Sequence, residues 1–201
     1  MISFGWEQVS QDQFTVRIKT PVVRVGTLYR LTAAIYVLGL DIVSGIVDSV
    51  FEEGLLLSND EFLLRFPDQK KDPGILNESV MQLGLIMETL LGKEMDPDVL
   101  LAERNIKPPE PILFFESQPD IVFQDHLFDN CTEFYIEVVD RRGLLFHLTR
   151  NLAKMNINIL RADIRAAPGG MAEDTFYLQY NEKPLGMDLS KQIENAILGR
   201  E

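Results

Sequence analysis

The sequence is poor in the residues that form disulfide frameworks and zinc sites. It contains one cysteine, Cys131, and two histidines, His126 and His147. A single cysteine excludes an intrachain disulfide framework and fits a reducing compartment, so we expect a cytoplasmic protein. One cysteine and two distant histidines do not supply the four ligands of a structural zinc ion, and we expect neither a metal nor a cofactor.

Long apolar runs and clusters of basic residues are also missing. No stretch reaches the 18 or so apolar residues of a membrane span, and the first residues lack the basic and apolar regions of a secretory signal. The formal net charge is −12, and the densest basic spots are the pairs Lys70-Lys71 and Arg141-Arg142. Because phosphate backbones attract clustered Lys and Arg side chains, we expect no binding to nucleic acid or to an anionic membrane.

The residues that commonly perform catalysis are scattered. His147 lies two helical positions after Leu145, away from the apolar stripe, and is predicted to be exposed. Cys131 opens a predicted strand with no base beside it, which is typical of a small buried hydrophobic residue. Since catalysis requires clustered groups, we predict no catalytic residues and a protein that is not an enzyme.

The chain contains an internal repeat, which is the feature to seek first when a fold is predicted. The segment 26–49 matches the segment 143–166 without gaps, and after a turn that differs by three residues the segment from Asp60 matches that from Asp174. The matched pairs include Gly26 and Gly143, Leu28 and Leu145, Thr32 and Thr149, and Asp60 and Asp174. Two copies of one structural unit are therefore predicted.

Each copy shows the same order of local patterns. In the second copy, Phe134, Ile136 and Val138 alternate with polar residues as in a half-buried strand. A helix with an apolar stripe ends near Asn156, and two strands follow, joined by a turn at Gly169-Gly170. The helical stripe comprises Leu145, Leu148, Leu152 and Met155. A final helix is predicted from Leu189 onward.

The first copy repeats this order with a longer turn between its second and third strands. "FTVRIKT" is predicted to be a strand, and a helix, two strands near 40–50 and 61–66 and a second helix follow. The second helix is predicted from about Glu78 to Leu91, with Asn77 as its N-cap and Gly92 at its C-cap. We regard Trp6 as part of an N-terminal tail without a motif.

A connector separates the copies. Asp96-Pro97 predicts the start of a short helix, and Pro108, Pro109 and Pro111 predict a stiff extended stretch. "PILFF" and "DIVFQ" are predicted to be two further strands. We therefore divide the chain into a first domain over 12–93, a connector over 94–111 and a second domain over 112–201, in which a strand at 121–124 completes the sheet.

These patterns predict an α+β fold made of two ferredoxin-like βαββαβ units. Each unit is expected to be an antiparallel four-stranded sheet with two helices on one face, because short connections of the order β-α-β-β-α fold in that way.

The residues "DRRGLLFHLTRNLAKMNINILRADI" followed by "DTFYL" resemble the ACT family of small-molecule-binding regulatory domains. The layout of a tandem pair with a Pro-rich connector is similar to the C-terminal ACT region of the uridylyltransferases that modify the PII nitrogen-signal protein. The resemblance covers about 13–198 and is stronger in the second copy. Two departures stand out, since Arg142 replaces the usual proline of the turn and the first copy has "TPVVRVG" in its place.

The resemblance implies a ligand, usually an amino acid, where the strand–helix turn of one copy faces another copy. The backbone N–H groups at the start of a helix hold a carboxylate, while charged side chains of the turn complete the site. The site residues implied in the second copy are Asp140, Arg141, Arg142, Gly143, Leu144, Leu145, Asn158 and Ile159. The residues of a weaker second candidate are Val25, Gly26, Thr27, Leu28 and Asp41.

A purely structural reading of these turns remains open. Asp140 would then cap the helix and both arginines would be solvated, whereas Gly143 is needed under either reading. For the first copy, the structural reading is favoured at Gly26 and Asp41.

Two functions follow as hypotheses. In the first, the chain is a non-enzymatic regulatory protein that binds an amino acid, with glutamine the first guess by resemblance, and signals to an output protein. In the second, it is a ligand-free dimerisation or adaptor module, because open sheets pair by their edges. We expect a homodimer or pairing of the two ACT units within one chain.

Overall fold

The computed structural model describes residues 2–21, 24–52, 54–66, 73–112 and 118–200. The first unit contains four strands and two helices. These are β1 Ser3–Gln8, β2 Gln13–Thr20, α1 Thr27–Val37, β3 Asp41–Glu52, β4 Leu55–Arg65 and α2 Pro73–Met87. A π-helical turn, Glu88–Gly92, extends α2.

The second unit repeats this order after a connector that carries a short helix, α3 Pro97–Glu103. The elements of the second unit are β5 Asp120–His126, β6 Cys131–Val139, α4 Leu144–Lys154, β7 Asn158–Ala167, β8 Met171–Gln179 and α5 Gly186–Ile197. Asn156 adopts a positive φ of 59° after α4, which confirms it as the residue that ends the helix.

All eight strands form one antiparallel sheet in the order β1-β2-β4-β3-β7-β8-β6-β5. The order within each unit is the same, and the units meet through β3 and β7. In that contact Ile46 pairs with Asp163, Gly45 with Ile164 and Val47 with Ala162. Ile46 and Asp163 are equivalent in the repeat, so an approximate two-fold axis passes between the two units at this pair.

The core lies between the sheet and the helices. Alternate residues of the six inner strands β2, β4, β3, β7, β8 and β6 include buried side chains, as Phe14, Val16 and Ile18 are in β2, whereas the edge strands β1 and β5 are more exposed. Helices α1 and α4 contact each other across the junction, while α2 packs on α1 and α5 packs on α4. The apolar stripes that define these helices in the sequence therefore cover one face of the sheet.

This architecture confirms the predicted α+β class with two ferredoxin-like units. The fourth strand of each sheet precedes the other elements instead of following them, so the order is ββαββα. In the second unit that strand is β5, which includes 121–124 and pairs with β6. In the first unit it is β1, which lies outside the predicted range of 12–93.

The interpretation of Trp6 as part of a tail was wrong. Trp6 lies in β1 opposite Val16 of β2, and its side chain is half-exposed. Ser3–Gln8 carries only Phe4 and Trp6 as large apolar residues, so the local pattern is weak. The pairing with β2, which the local sequence does not show, makes this segment a strand.

The predicted start of α2 was also wrong, because the helix begins at Pro73 and Asn77 lies inside it. Pro73 suits the first turn of a helix, where no intrahelical N–H bond is needed. The predicted strand at "PILFF" lies largely outside the described residues. None of the helices that the structure describes is long and apolar enough to cross a membrane.

The connector helix begins as predicted and is fixed to the second unit. The carboxylate of Asp96 accepts a hydrogen bond from Asp98 N–H at 2.7 Å, which confirms it as the N-cap. Asp98 in turn accepts two hydrogen bonds of 2.9 Å from Arg150, and Lys154 Nζ lies 3.0 Å from its carboxylate. The charged end of α3 is thus held against α4.

Candidate functional site

A cavity of about 350 Å³ lies at the junction of the two units. On one side is the turn between β6 and α4, and on the other are the end of α1 and the start of β3. Its charged lining consists of Asp41, Arg65, Asp140, Arg141, Arg142, Arg165 and Asp174. Its apolar lining includes Ile35, Tyr36, Leu40, Ile42, Leu144, Leu145, Phe146 and Ile164.

Gly143 gives the turn its shape. It is the N-cap of α4 in the left-handed conformation, with φ of 82°, and Gly26 adopts the same conformation before α1 with φ of 84°. A Cβ atom on Gly143 would lie 2.6 Å from the Tyr36 ring and 3.1 Å from Pro109. Glycine is therefore required both for the backbone conformation and for the close approach of the connector and α1.

Leu144 N–H is not available to a ligand. It donates a hydrogen bond to the Arg141 carbonyl oxygen at 3.0 Å, and Thr27 N–H makes the equivalent bond to Arg24 at 3.1 Å. The expectation that the N–H groups at the start of the helix hold a carboxylate therefore does not extend to Leu144, because the tight turn satisfies its N–H locally. Any anion at this turn would depend on the remaining N–H groups and on side chains.

The two arginines of the turn hold neighbouring segments in place. Arg141 donates to the carbonyl oxygen of Glu110 in the connector. Arg142 donates to the Tyr36 carbonyl oxygen at 3.4 Å and lies 5.7 Å from the centre of the Tyr36 ring. Tyr36 Oη also donates to Lys107 at 2.9 Å. The arginines therefore line the cavity and also fasten the connector and the end of α1 to the turn, so neither is simply solvated.

Asp140 is not the N-cap of α4, because Gly143 holds that position and the Asp140 carboxyl accepts a hydrogen bond from Arg141 N–H. Its backbone N–H donates to Gly170 at 2.8 Å, which ties the turn to the β7–β8 hairpin. Partial burial raises the pKa of the Asp140 carboxyl, a hydrogen bond from Arg141 N–H opposes that shift, and the nearby Asp41 carboxylate reinforces it. The cavity thus holds two carboxylates close to each other.

Asp41 lies in this cavity, whereas the sequence placed it with the turn of its own copy. Arg65 Nη2 lies 3.6 Å from its carboxylate, and the Asp41 side chain is 23% exposed. The β3–β7 pairing explains this position of Asp41, because it brings the start of each of the two strands to the turn of the other unit. A sequence comparison within one copy does not show this exchange.

Asp174 is the site residue that sequence reasoning missed. It lies on β8 beneath the turn, its residue surface is 2% exposed, and its Oδ1 atom has no hydrogen-bond partner among the described residues. Burial raises its pKa to about 7, against a hydrogen bond from Arg165 N–H that lowers it. The sequence held a signal, since Asp174 occupies an inward position in an otherwise apolar alternation and is matched by Asp60.

The equivalent cavity at the other turn is nearly closed, with a volume of about 20 Å³. It is lined by Gly26, Thr27 and Leu28 and, from the other unit, by Ile157 and Ile159. The sequence assigned Ile159 to the turn of its own copy. The β3–β7 pairing places it at the turn of the other copy instead, as it does for Asp41. Val25 and Asn158 line neither cavity.

Asp60 in this second cavity is also buried, but it has partners. Ser58 Oγ lies 2.7 and 2.9 Å from the two carboxylate oxygens of Asp60 and donates its one proton to this carboxylate. Burial raises the pKa of Asp60 to about 7, and the bond from Ser58 opposes that shift. The residue equivalent to Ser58 beside Asp174 is Ala172, which has no hydroxyl group.

The predicted exposure of His147 was wrong, because α5 covers that side of α4. His147 is 4% exposed, and its Nε2 atom lies 2.8 Å from the Ile197 carbonyl oxygen, to which it donates. Burial lowers the pKa of His147, and the hydrogen bond to Ile197 opposes that shift. Cys131 is buried as predicted. In the part of the chain that the structure describes, no group of three or more His, Cys, Asp or Glu residues is placed to hold a metal ion.

Comparison with known proteins finds relatives that share a region with this chain. A stretch of 94 residues is 33% identical to the bifunctional uridylyltransferase/uridylyl-removing enzyme of Nitrobacter winogradskyi and covers 47% of this chain and 10% of that protein. A stretch of 112 residues is 30% identical to the enzyme of the same name from Bradyrhizobium diazoefficiens, covering 55% and 11%. The chain spans about a tenth of the length of these relatives. No protein-family model matches the sequence.

The similarity falls on a small region of these enzymes, and the chain folds as two copies of one ββαββα unit. This fold fits the tandem ACT arrangement that the sequence resembles. The two units pair within one chain through β3 and β7. Among solved structures, the aspartate kinase from Synechocystis aligns with a TM-score of 0.47 and 14% identity, over 93% of this chain and 26% of that chain.

Proposed function

We propose that this tandem ACT protein binds an amino acid in the open cavity between its units and acts as a regulatory protein. The observation that carries the proposal is the cavity of about 350 Å³, which is lined by both carboxylates and guanidinium groups at the junction of two domains. Its size lies at the lower end of the range for small-molecule sites, which commonly form between domains. Catalysis is not part of the proposal.

The charge distribution of the cavity suits a zwitterion. Asp140 on the turn and Asp41 at the start of β3 supply negative charge, whereas Arg65 is 45% exposed and its guanidinium lies 3.6 Å from Asp41. Because Arg141 and Arg142 already bond to backbone carbonyl oxygens, Arg65 is the guanidinium best placed to meet a ligand carboxylate. Glutamine is the first candidate, by the resemblance of the chain to the C-terminal ACT region of the uridylyltransferases.

Regulation would come from the position of the cavity. A ligand that contacts the turn of one unit and β3 of the other favours one arrangement of the pair, and a change in free energy between two arrangements is what regulation requires. An output protein would then read the arrangement. Cytoplasmic location and assembly into a homodimer remain predictions.

A second candidate is an adaptor without a ligand. Its support is the nearly closed cavity of about 20 Å³ at the first turn, together with arginines that are engaged within the chain. In this case the turns serve only to fasten the two units and the connector.

A thermal-shift screen of the purified chain against the twenty L-amino acids tests the first proposal. A ligand that binds only the folded state raises the midpoint, so one or a few amino acids are expected to do so. Arg65→Gln should reduce the shift, because it removes the proposed contact to the carboxylate. Arg17→Gln is the matched control, since Arg17 lies on the exposed face of the sheet with Glu61 2.7 Å away. If no amino acid raises the unfolding midpoint, the proposed ligand binding is contradicted and the adaptor function is favoured.

A further inference from the structure

Two equivalent buried carboxyl groups, one in each cavity, differ in their hydrogen-bond partners. Asp60 and Asp174 occupy matching inward positions on β4 and β8 and are 1% and 2% exposed. The Asp60 carboxylate accepts the hydroxyl proton of Ser58, whereas Oδ1 of Asp174 has no partner within the described residues. A buried polar atom without a hydrogen-bond partner destabilises the folded state. A ligand that donates a hydrogen bond to Asp174 Oδ1 would remove this destabilisation.

The difference in hydrogen bonding follows from one side chain. Ser58 and Ala172 occupy the same position in their strands, two residues before the buried aspartate. The hydroxyl of Ser58 satisfies Asp60, and the cavity there is about 20 Å³, while the cavity beside Ala172 and Asp174 is about 350 Å³. The first cavity is thus satisfied internally, and the second leaves both space and an acceptor.

The charged groups around Asp174 do not fill this role. Asp140 and Asp163 repel its charge, and Arg165 reaches it only through its backbone N–H. The guanidinium of Arg165 is paired with Asp163, and that of Arg65 lies near Asp41. A cationic donor that enters the cavity from solution would both satisfy the atom and stabilise the ionised carboxylate.

We propose that Asp174 receives the ammonium group of an amino acid, so that the protein has one ligand site between its units instead of two. This inference rests on the proposed function. An ammonium group has three N–H donors and a positive charge, which complements a carboxylate that lies beside two others. Asp41 and Asp140 add to the negative potential at the mouth of the cavity, and Arg65 faces the ligand carboxylate.

Binding of an ammonium group at Asp174 links affinity to pH. Only the ionised carboxylate attracts the cation, and burial raises the pKa of Asp174 to about 7. Affinity should therefore be greatest above about pH 7 and should fall as pH decreases, by up to about tenfold per pH unit for one linked proton. Asp140, whose pKa is also raised, would add to the loss at lower pH.

Two substitutions test the role of Asp174 in the full chain. Ala172→Ser places a hydroxyl where Ser58 has one, and should satisfy Asp174 internally and weaken amino-acid binding by about tenfold. Asp174→Asn should weaken binding at least as much and should abolish its pH dependence around 7. Ser58→Ala is the matched control at the closed cavity and should leave the affinity unchanged although it removes a bond to Asp60.

The probe is the amino acid that gives the largest thermal shift among the twenty L-amino acids, compared with its 2-hydroxy acid in titration calorimetry. The 2-hydroxy acid lacks the ammonium group and should bind at least tenfold more weakly. Equal binding of the two compounds, or unchanged affinity in both Ala172→Ser and Asp174→Asn, overturns the role of Asp174 while amino-acid binding stands. A wild-type chain that binds no amino acid overturns the proposed function and this inference together.

Discussion

The hydroxyl oxygens of Thr32 and Thr149 lie 2.9 Å apart in the buried contact between α1 and α4, and the two residues are equivalent in the repeat. Each hydroxyl also lies within hydrogen-bond distance of a carbonyl oxygen one turn earlier, Leu28 at 2.9 Å and Leu145 at 2.8 Å. One hydroxyl proton can therefore bridge the pair while the other bonds within its own helix. A residue and its own counterpart thus meet on the axis that relates the two units.

Thr149→Val should lower the free energy of unfolding by about 1 kcal/mol, the value of one net hydrogen bond, because Thr32 then keeps its bond to Leu28. Thr32→Val should act similarly. The double variant should cost less than the sum of the single changes, since both remove the same bond. Urea unfolding of the four proteins measures this coupling, and strict additivity would contradict a shared hydrogen bond.

Gly143→Ala should destabilise the chain more than Gly26→Ala. Both residues have a positive φ, which costs an alanine about 1–2 kcal/mol. At Gly143 the added Cβ also meets the Tyr36 ring at 2.6 Å and Pro109 at 3.1 Å, whereas at Gly26 its nearest neighbour is the flexible end of Arg30 at 2.8 Å. Thermal unfolding of both variants measures the difference, and an equal loss would contradict the close packing of the connector at this turn.

Asp174→Asn should change the pH dependence of stability. The pKa of Asp174 is raised from 3.8 to about 7 in the folded chain, so the native state binds the proton more tightly than the unfolded state. The wild type should therefore lose stability relative to the variant as pH rises from about 4 to about 7, by an amount on the order of a few kcal/mol. His147, whose pKa shifts in the opposite direction, is present in both proteins and cancels.

Urea unfolding of the wild type and Asp174→Asn at several pH values between about 4 and 8 measures this difference. Asp60→Asn should show the same trend, because the pKa of Asp60 is also raised to about 7. A stability difference that is independent of pH would show that Asp174 ionises normally in the folded chain.

Asp98→Asn should weaken the attachment of the connector helix. Burial alone would raise the pKa of Asp98, but hydrogen bonds from Arg150 and Lys154 outweigh it and lower the pKa to about 2. The side chain is 33% exposed, so we expect a loss of only about 1 kcal/mol at neutral pH.

The contribution of Asp98 should be present above about pH 4 and disappear as pH falls toward 2, and it should shrink at high salt. Glu103→Gln, at the exposed end of α3, is the control for removing a charge from this helix. Chemical unfolding at low and high salt separates the two variants, and equal losses would contradict the role of the ion pairs.

The sequence predicted much of the fold because its periodicities are local and occur twice. The stripe of Leu145, Leu148 and Leu152 identified α4 without reference to any other segment, and these residues are buried. It missed β1, since Ser3–Gln8 becomes a strand only by pairing with β2. It misplaced His147, because its position outside the apolar stripe gives no sign that α5 covers it.

The candidate site was predicted in part. The turn from Asp140 to Leu145 does line the cavity, as its resemblance to ACT domains implied. Asp41 and Ile159 were assigned to the turns of their own copies, whereas in the structure each lines the cavity at the turn of the other copy. Asp174 was missed although its inward position in an apolar alternation was visible, because the pattern does not show that it lines a cavity or that one carboxylate oxygen lacks a partner within the described residues.

The sequence by itself determined the repeat, the class of the fold and the turns that start α1 and α4, because these depend on periodicity and on residue types that are close in the chain. Only the tertiary structure decided that β3 pairs with β7, which brings each turn to the other unit. It also decided that the equivalent residues Asp60 and Asp174 lie buried beside cavities of about 20 and 350 Å³. These features depend on contacts between segments that are far apart in the chain, which local periodicity does not show.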